Sequence, residues 1–269
     1  MKRPPHPRRY RLTLEYDGSN FSGWQKQSDA RTVQGDLLKA AQRVFAVLPE
    51  DVQGCGRTDA GVHALEYVAH IEVASRLPAA EALRRFNLEL PKDMAVRAVE
   101  LVEESFHARH SCVARSYLYR LRTGKSAFGK RYSWWLQEGV DALEMSRTAL
   151  LFTGMHDFRA FAERQELKKS TRVLVHHVGV FQNDDLLSVR VVGSHFLWHM
   201  VRRMVGALVA VGRGELTPAD IPGLLGPDAV LPAGLTAPAA GLFFEKAFYS
   251  DEELRRFLAQ PPLKAVTIA

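Results

Sequence analysis

The sequence predicts an α+β protein. Strand-like and helix-like patterns are mixed in both halves of the chain, and hairpin signals replace strict strand–helix–strand repeats. Apolar and polar residues alternate from Tyr10 to Tyr16, which is typical of a half-buried strand. Asn183-Asp184 separates two further strand-like segments and predicts a hairpin. We therefore expect two sheets, each mainly antiparallel and each covered by helices.

The first half begins with the strand that ends at the turn signal Asp17-Gly18. Thr32 can cap a helix that continues to about Leu48, where Pro49 stops it. Apolar residues recur on one side of this helix. The remaining elements predicted in this half are a helix from Ala79 to Leu88 and strands at Tyr67–Val73 and Ala95–Val102.

The second half has the same mixture of elements. They are a strand through Tyr117–Leu121, a helix around Asp141–Phe152, the hairpin strands Arg172–Phe181 and Leu186–Val192, a helix from Phe196 to Val211 that ends at Gly212, and a last strand at Phe243–Phe248. We expect a flexible basic arm at 1–9, an N-terminal domain at 10–105, a C-terminal domain at 106–250, and a helix and tail at 251–269.

Composition excludes several classes of protein. With 46% hydrophobic and 25% charged residues, the chain has an ordinary globular balance and is not disordered. No window approaches the ~20 consecutive apolar residues of a membrane-spanning helix. The net charge of +6 favours a polyanionic partner. Two cysteines, Cys55 and Cys112, do not make a disulfide framework, and we expect a reducing, cytoplasmic location.

The segment from Ser105 to Gln137 strengthens the case for nucleic acid. It contains no Asp or Glu, and basic residues interleave with aromatic ones. Cations follow phosphates while aromatic faces stack on unpaired bases. The competing interpretation is that Phe128, Trp134 and Trp135 are core residues. Nucleotide, dinucleotide and zinc motifs are missing from the sequence, so chemistry that needs ATP, NAD or zinc is not indicated.

The densest group of reactive side chains lies between Gly54 and Ala64. Its glycines indicate tight backbone geometry or close approach to a ligand. Asp59 could be a nucleophile, a general base, a metal ligand or a turn former. Arg57 would keep this carboxylate ionised if the two were in contact. Cys55 has no nearby base and is interpreted as a small loop or core residue.

A polar stripe marks the helix predicted from Phe196. His195 and His199 are four residues apart, as a metal site on one helical face would require, but no third ligand is evident. The alternative is that the stripe lines a cleft. Arg202 would then carry a positive charge into apolar surroundings, where it needs a carboxylate or a phosphate, unless its side chain extends to the surface.

Several motifs together resemble the tRNA pseudouridine synthase A family. Gly56–Ala64 resembles its catalytic motif, and the other motifs follow in family order. These are Glu15–Gln25, Thr32–Gly35, Phe106–Arg109, Arg115–Tyr119, Phe196–Gly206 and Ala237–Leu242. After His156-Asp157-Phe158 the sequence departs from the family, because Arg159 replaces a small residue and the following loop at 162–169 is short and highly charged.

The resemblance implies an isomerase with two similar domains and its active site in the cleft between them. It would act as a homodimer, without cofactor or metal, and away from the membrane. Its substrate would be uridine 38, 39 or 40 of the tRNA anticodon stem-loop, converted to pseudouridine after extrusion of the base. Asp59 is then the essential carboxylate and Arg202 its partner, while Tyr117 stacks on the uracil and Arg57 takes up space or holds phosphate.

Three other functions remain in competition. The chain could be a non-catalytic RNA-binding protein, a pseudouridine synthase that acts elsewhere in RNA, or a metal-dependent nucleic-acid hydrolase that uses His195 and His199. The set Arg57, Asp59, Tyr117 and Arg202 argues against the first. A substrate with uridines only at 38–40 tests the second, and activity in EDTA tests the third.

Overall fold

A computed structural model describes residues 6–163 and 170–260. Within them it has ten strands and six α-helices, and the predicted α+β class is confirmed. None of the helices in these ranges is long and apolar enough to cross a membrane. The chain divides into two compact units, which are the described parts of 1–113 with 243–250 and of 114–242 with 251–269.

The first unit contains a sheet built around β3 (His63–Val73). Strand β1 (Arg8–Tyr16) lies between β3 and β4 (Met94–Val102) and is antiparallel to both. The other edge of β3 pairs with β2 (Asp51–Gly54), which is antiparallel, and β10 (Leu242–Phe248), which is parallel. The central strand of this sheet therefore begins directly after the glycine-rich loop at 55–62.

Two helices cover this sheet, α1 (Val33–Phe45) and α2 (Ala79–Glu89). The ring of Tyr10 on β1 lies 4.9 Å from that of Phe45, which lies 5.7 Å from Phe86 of α2. The predicted cap of α1 is confirmed, because the Thr32 side chain accepts a hydrogen bond from Gly35 N. The helix ends before Leu48 because Ala46 adopts a left-handed conformation, with φ +57°.

Strand β1 begins earlier than the predicted arm allows. Arg8 and Arg9 already belong to it, and the Arg9 guanidinium pairs with Glu72 and donates to the carbonyl oxygen of Phe106. The prediction of a flexible arm over 1–9 is therefore wrong at its last two residues, because Arg8 pairs with Val73 of β3 and Arg9 is held by Glu72 and Phe106. Residues 1–5 lie outside the described part of the chain.

The strands of the second unit are mainly antiparallel. They follow in the order β5 (Ala114–Arg122), β9 (Leu186–Gly193), β8 (Arg172–Asn183) and β7 (Gly154–Asp157), with the short β6 (Trp134–Trp135) parallel to β5. The predicted hairpin is confirmed, and Asp184 in its turn has a φ of +51°. Asp and Asn tolerate this conformation better than most residues.

The helices of this unit are α3 (Ala142–Ala149), α4 (Met200–Gly212), α5 (Asp220–Leu224) and α6 (Asp251–Leu258). The start predicted for α4 at Phe196 is wrong, because His199 has a φ of +64°, which a right-handed helix does not allow. Arg159 opens a short 3₁₀ turn. Of the charged loop at 162–169, residues 164–169 lie outside the described ranges, as does the tail at 261–269.

Candidate active site

The loop between β2 and β3 presents the predicted catalytic carboxylate. Asp59 is half-buried, Arg57 is exposed, and Thr58 between them is buried. A half-buried carboxylate can be reached by a substrate and still be held by the protein around it. The loop therefore offers a reactive group at the end of the central strand, where such groups are commonly displayed.

The neighbours of Asp59 are tied to the segment that follows β1. The Trp24 backbone N–H donates to Thr58 O at 3.0 Å, and Gly61 N donates to Phe21 O at 3.2 Å. The hydroxyl groups of Tyr16 and Thr58 lie 2.9 Å apart, and both side chains are buried. Hydrogen bonds on both sides of Asp59 thus fix the position of its backbone.

Gly23 allows the two segments to approach so closely. Its φ is +90°, and a Cβ atom there would lie 2.6 Å from Thr58 O. A larger residue would be strained by its own backbone conformation and would push against the residue next to Asp59. The backbone contact that places the carboxylate therefore requires glycine at this position.

His63 anchors the other end of the loop. The ring is buried, its Nδ1 accepts a hydrogen bond from Gly18 N at 3.0 Å, and it stacks on Phe243 with ring centres 4.7 Å apart. The first residue of β3 is thus bound to the turn after β1. Together with the contacts of Thr58 and Gly61, this bond joins the loop to the segment 16–24 at three points.

Tyr117 lies in the second unit, on β5. Its side chain is 8% exposed, and its ring meets that of Phe196 edge-on with centres 5.1 Å apart. The segment before α4 therefore covers an edge of the tyrosine ring and holds it in one orientation. A ring held in this way is suited to stacking on a flat base.

Arg202 lies in the first turn of α4. Its Nε donates to Ala237 O at 2.7 Å, and Ala237 N donates back to Arg202 O at 3.1 Å. The rest of this helix is buried almost all round, apart from Gly212 and the neighbouring Arg203, which pairs with Glu163. The two bonds with Ala237 hold the base of the side chain and orient the guanidinium.

The segment 235–241 packs closely on both α4 and β5. A Cβ atom on Gly206 of α4 would lie 1.8 Å from Leu235 O, so only glycine permits this approach. The Tyr119 hydroxyl donates to Pro238 O at 2.7 Å. Burial raises the pKa of Tyr119 far above its usual range, although the charge of Arg202 opposes this. Tyr119 is therefore a neutral donor that holds the segment.

Comparison with known proteins gives consistent matches. A family model described as tRNA pseudouridine synthase matches residues 148–250. A protein of Paramagnetospirillum magneticum named tRNA pseudouridine synthase A is 40% identical over 245 residues, which cover 90% of this chain and 95% of that protein. Proteins of the same name from Ruminiclostridium cellulolyticum and Zymomonas mobilis are each 38% identical, over 90% of this chain and 100% and 99% of their own lengths.

The chain belongs to the tRNA pseudouridine synthase A family. The resemblance predicted from the sequence motifs is thereby confirmed. Pseudouridine synthases are isomerases, and this chain is accordingly an enzyme of that class. Among solved structures, a chain of an archaeal box H/ACA sRNP Nop10–Cbf5 complex is 14% identical, and the match covers 76% of this chain and 44% of that one. Its TM-score of 0.38 is too low to support a conclusion.

For this pseudouridine synthase the four predicted site residues form two pairs. Arg57 and Asp59 share one loop of the first unit. Tyr117 and Arg202 belong to the second unit, where β5 and α4 are both bound to the segment 235–241, through Tyr119 in the case of β5. Each pair is thus set on a well-packed part of its own unit.

The helical pair of histidines is not present in this pseudouridine synthase. His195 precedes α4, and His199 is the left-handed residue before its first turn, so they do not share a helical face. Nδ1 of His199 lies 3.4 Å from the Glu163 carboxylate. Within 6–163 and 170–260, no three His, Cys, Asp or Glu side chains are grouped to hold a metal ion.

Sequence reasoning misses two residues that hold the Asp59 loop, Tyr16 at the end of β1 and His63 at the start of β3. The alternating pattern places Tyr16 on the apolar face of a strand, and His63 stands in the sequence only as part of a motif. Both are buried, and both use a polar atom to hold the Asp59 loop. The available signal was a polar atom on a predicted core position, since such an atom needs a hydrogen-bond partner.

Proposed function

We propose that this enzyme converts uridine to pseudouridine at positions 38, 39 and 40 in the anticodon stem-loop of tRNA. The observation that carries the proposal is the Asp59 loop, in which Asp59 is half-buried and its backbone is held on both sides. Membership in the tRNA pseudouridine synthase A family supports the choice of RNA and reaction. The stem-loop positions rest on the resemblance of the sequence motifs.

The proposed reaction is a balanced isomerisation. The bond between uracil N1 and ribose C1′ breaks, the base turns, and C5 forms a new bond to C1′ while its hydrogen leaves as a proton and N1 gains one. Because no electrons or groups are transferred to another molecule, we propose that no cofactor and no metal take part. The target base is extruded from its stack before it reacts.

Asp59 is the proposed catalytic residue. It could attack the base, attack C1′ or remove a ribose proton, and each route needs an ionised carboxylate held in one place. The anchored loop holds the carboxylate in one place. We propose that Arg202 keeps it ionised in the working enzyme, because a nearby positive charge favours the ionised form of a carboxylate.

Tyr117 and Arg57 are the proposed substrate-binding residues. The held ring of Tyr117 would stack on the extruded uracil, and its phenol oxygen would help to take up the proton from C5. Arg57 is exposed beside Asp59, where it can occupy the space left by the base or bind a phosphate. A homodimer that works in the cytoplasm completes the proposal, and sedimentation would test its oligomeric state.

Release of tritium from tRNA labelled at uridine C5 tests the proposal, because this isomerisation must expel the C5 hydrogen. We expect release by the wild type in EDTA and without nucleotide, and none by Asp59→Ala that still binds tRNA. Asp29→Ala, which removes an exposed carboxylate of the same unit, is the matched control and should stay active.

Substrate design separates the competing functions. A stem-loop RNA with uridines only at 38–40 should be a substrate, and failure there with activity on whole tRNA would indicate other target sites. If a folded wild type binds tRNA but releases no tritium, the result would favour a non-catalytic RNA-binding protein. Activity lost in EDTA would contradict the metal-free reaction.

A further inference from the structure

The structure divides the acid-free segment at 105–137 into two parts. On β5 its residues are used inside the second unit. Tyr117 and Tyr119 are buried, Arg115 donates to Ser194 O at 2.8 Å, and Arg122 pairs with Asp185 at 2.8 Å. Apart from Tyr117, which is proposed to stack on the uracil, these side chains are engaged by the protein itself, so sequence composition alone overstates the number available to a partner.

The loop that follows β5 is different. We call residues 123–135 the basic loop. Phe128 is 86% exposed and Trp135 is 39% exposed, so the interpretation of both as core residues is wrong. Lys125 and Lys130 are also exposed, and Nζ of Lys125 lies 5.6 Å from the centre of the Trp135 ring. Two large rings and several cations thus face solvent on one short stretch of chain.

Lys125 and Lys130 of the basic loop differ from many arginines of the first unit. In the described part of the chain no ion pair involves Lys125 or Lys130. Many arginines of the first unit are paired with carboxylates, namely Arg9, Arg11, Arg31, Arg43, Arg84, Arg85 and Arg97. No carboxylate occurs within 105–137, and Asp185, which lies beside Gly124, is already paired with Arg122. The positive charges of Lys125 and Lys130 are therefore available to an anionic partner.

We propose that the basic loop is a tRNA-binding surface in addition to the residues proposed for catalysis. Its lysines would follow phosphates, and Phe128 and Trp135 would stack on unpaired bases. The inference rests on the proposed function, since it assumes that RNA is the substrate. A second copy of this chain is a poorer partner, because two such loops bring like charges together.

Binding and turnover of tRNA should respond differently to changes in the basic loop. We expect Phe128→Ala to raise KM for tRNA by about tenfold, the lower end of what a stacked base contributes, with kcat unchanged. Phe128→Trp keeps an aromatic ring and should therefore keep the KM of the wild type. The double variant Lys125→Ala/Lys130→Ala should raise KM and reduce the slope of log Kd against log salt by about 1.4, or about 0.7 for each phosphate contact to a single strand.

Matched variants test whether these effects are specific. Leu150→Ala removes another exposed apolar side chain of the second unit, and Lys39→Ala removes an exposed lysine that is paired with Asp36. Neither should change KM by more than about twofold, and neither should change the slope of log Kd against log salt. Similar effects of controls and loop variants would overturn the proposal.

Other outcomes would also decide whether the basic loop binds tRNA. Unchanged KM and salt slope in the loop variants would refute the RNA surface. A variant that sediments at half the mass of the wild type would make the loop a contact between copies. A fall in kcat at saturating tRNA with KM unchanged would make it catalytic. Failure of the wild type to release tritium would refute the proposed function, while direct tRNA binding would still test the loop.

Discussion

The Asp59 loop at 55–62 and the basic loop at 123–135 present charge in opposite ways. The first is bound to the segment 16–24 through Thr58, Gly61 and His63. The second leaves Phe128 and its lysines exposed. A reacting carboxylate must be held within a fraction of an ångström, whereas a cation can follow a phosphate from many positions. The anchoring of the first loop and the exposed side chains of the second fit their proposed tasks.

The largest expected effect is that of Asp59→Asn. This change keeps the size of the side chain and removes its charge. We expect tritium release to fall by more than about 10³-fold, as is observed when an essential catalytic group is lost, with the Kd for tRNA unchanged. Asp29→Asn is the control. Activity within tenfold of the wild type would show that the anchored carboxylate is not the reacting group.

The next effect is that of Gly23→Ala. The new Cβ atom would press on Thr58 O in a left-handed conformation, at a cost of about 1–3 kcal/mol. We expect a lower Tm, measured by thermal unfolding, and a fall in kcat of at least about tenfold as Asp59 is displaced. Gly56→Ala in the same loop is the control, since a Cβ atom there meets nothing within 4 Å. Equal losses in both variants would contradict specific anchoring.

Tyr16→Phe should have a smaller effect on the same loop. It removes the hydroxyl that lies 2.9 Å from Thr58 Oγ1. We expect kcat to fall by about tenfold with KM unchanged, and stability to fall by about 1 kcal/mol. Tyr10→Phe removes a comparable 2.8 Å bond, to Leu77 O, from the same strand. It should cost similar stability but leave kcat intact, and an equal loss of kcat would indicate a general effect on folding.

The smallest expected effect is that of pH. It should change the stability of the first unit but not the contribution of the basic loop to tRNA binding. Burial lowers the pKa of His70, and the positive charge of His107 lowers it further, although Asp51 opposes both. The unfolded chain therefore binds more protons than the folded chain below pH 6.5. The contribution of His70 to stability is therefore fully present above pH 6.5 and decreases as the pH falls below that value.

Thermal unfolding from pH 7.5 to 5.5 would measure this loss. We expect the Tm to fall by about 2–4 °C, since protonation at Nδ1 would also remove the acceptor that Ala108 N uses. His70→Gln should make the fall in Tm below pH 6.5 shallower without removing it, because burial also lowers the pKa of four other histidines, His107, His176, His177 and His195. The lysines of the basic loop do not titrate in this range, so their salt-dependent contribution to tRNA binding should stay constant. A Tm that rises below pH 6.5 would contradict the sign of the effect.

Local signals in the sequence predicted most of the secondary structure. The alternation before Tyr16 predicted β1, the Thr32 cap predicted the start of α1, and Asn183-Asp184 predicted the hairpin, because each depends on near neighbours. The start of α4 was missed because His199 adopts a left-handed conformation that an apolar pattern does not reveal. The partners of Tyr16 and His63 were missed because they are separated from them by many residues.

The α+β class, the family and the identity of the candidate residues follow from the sequence, since periodicity and motif order are properties of the chain alone. Which side chains are packed inside a unit and which face solvent depends on the fold. Tyr117 and Phe128 share one basic and aromatic segment, yet one is buried against Phe196 and the other is exposed. That difference depends on which strands pair and where a loop leaves the sheet, and both are set by contacts between distant parts of the chain.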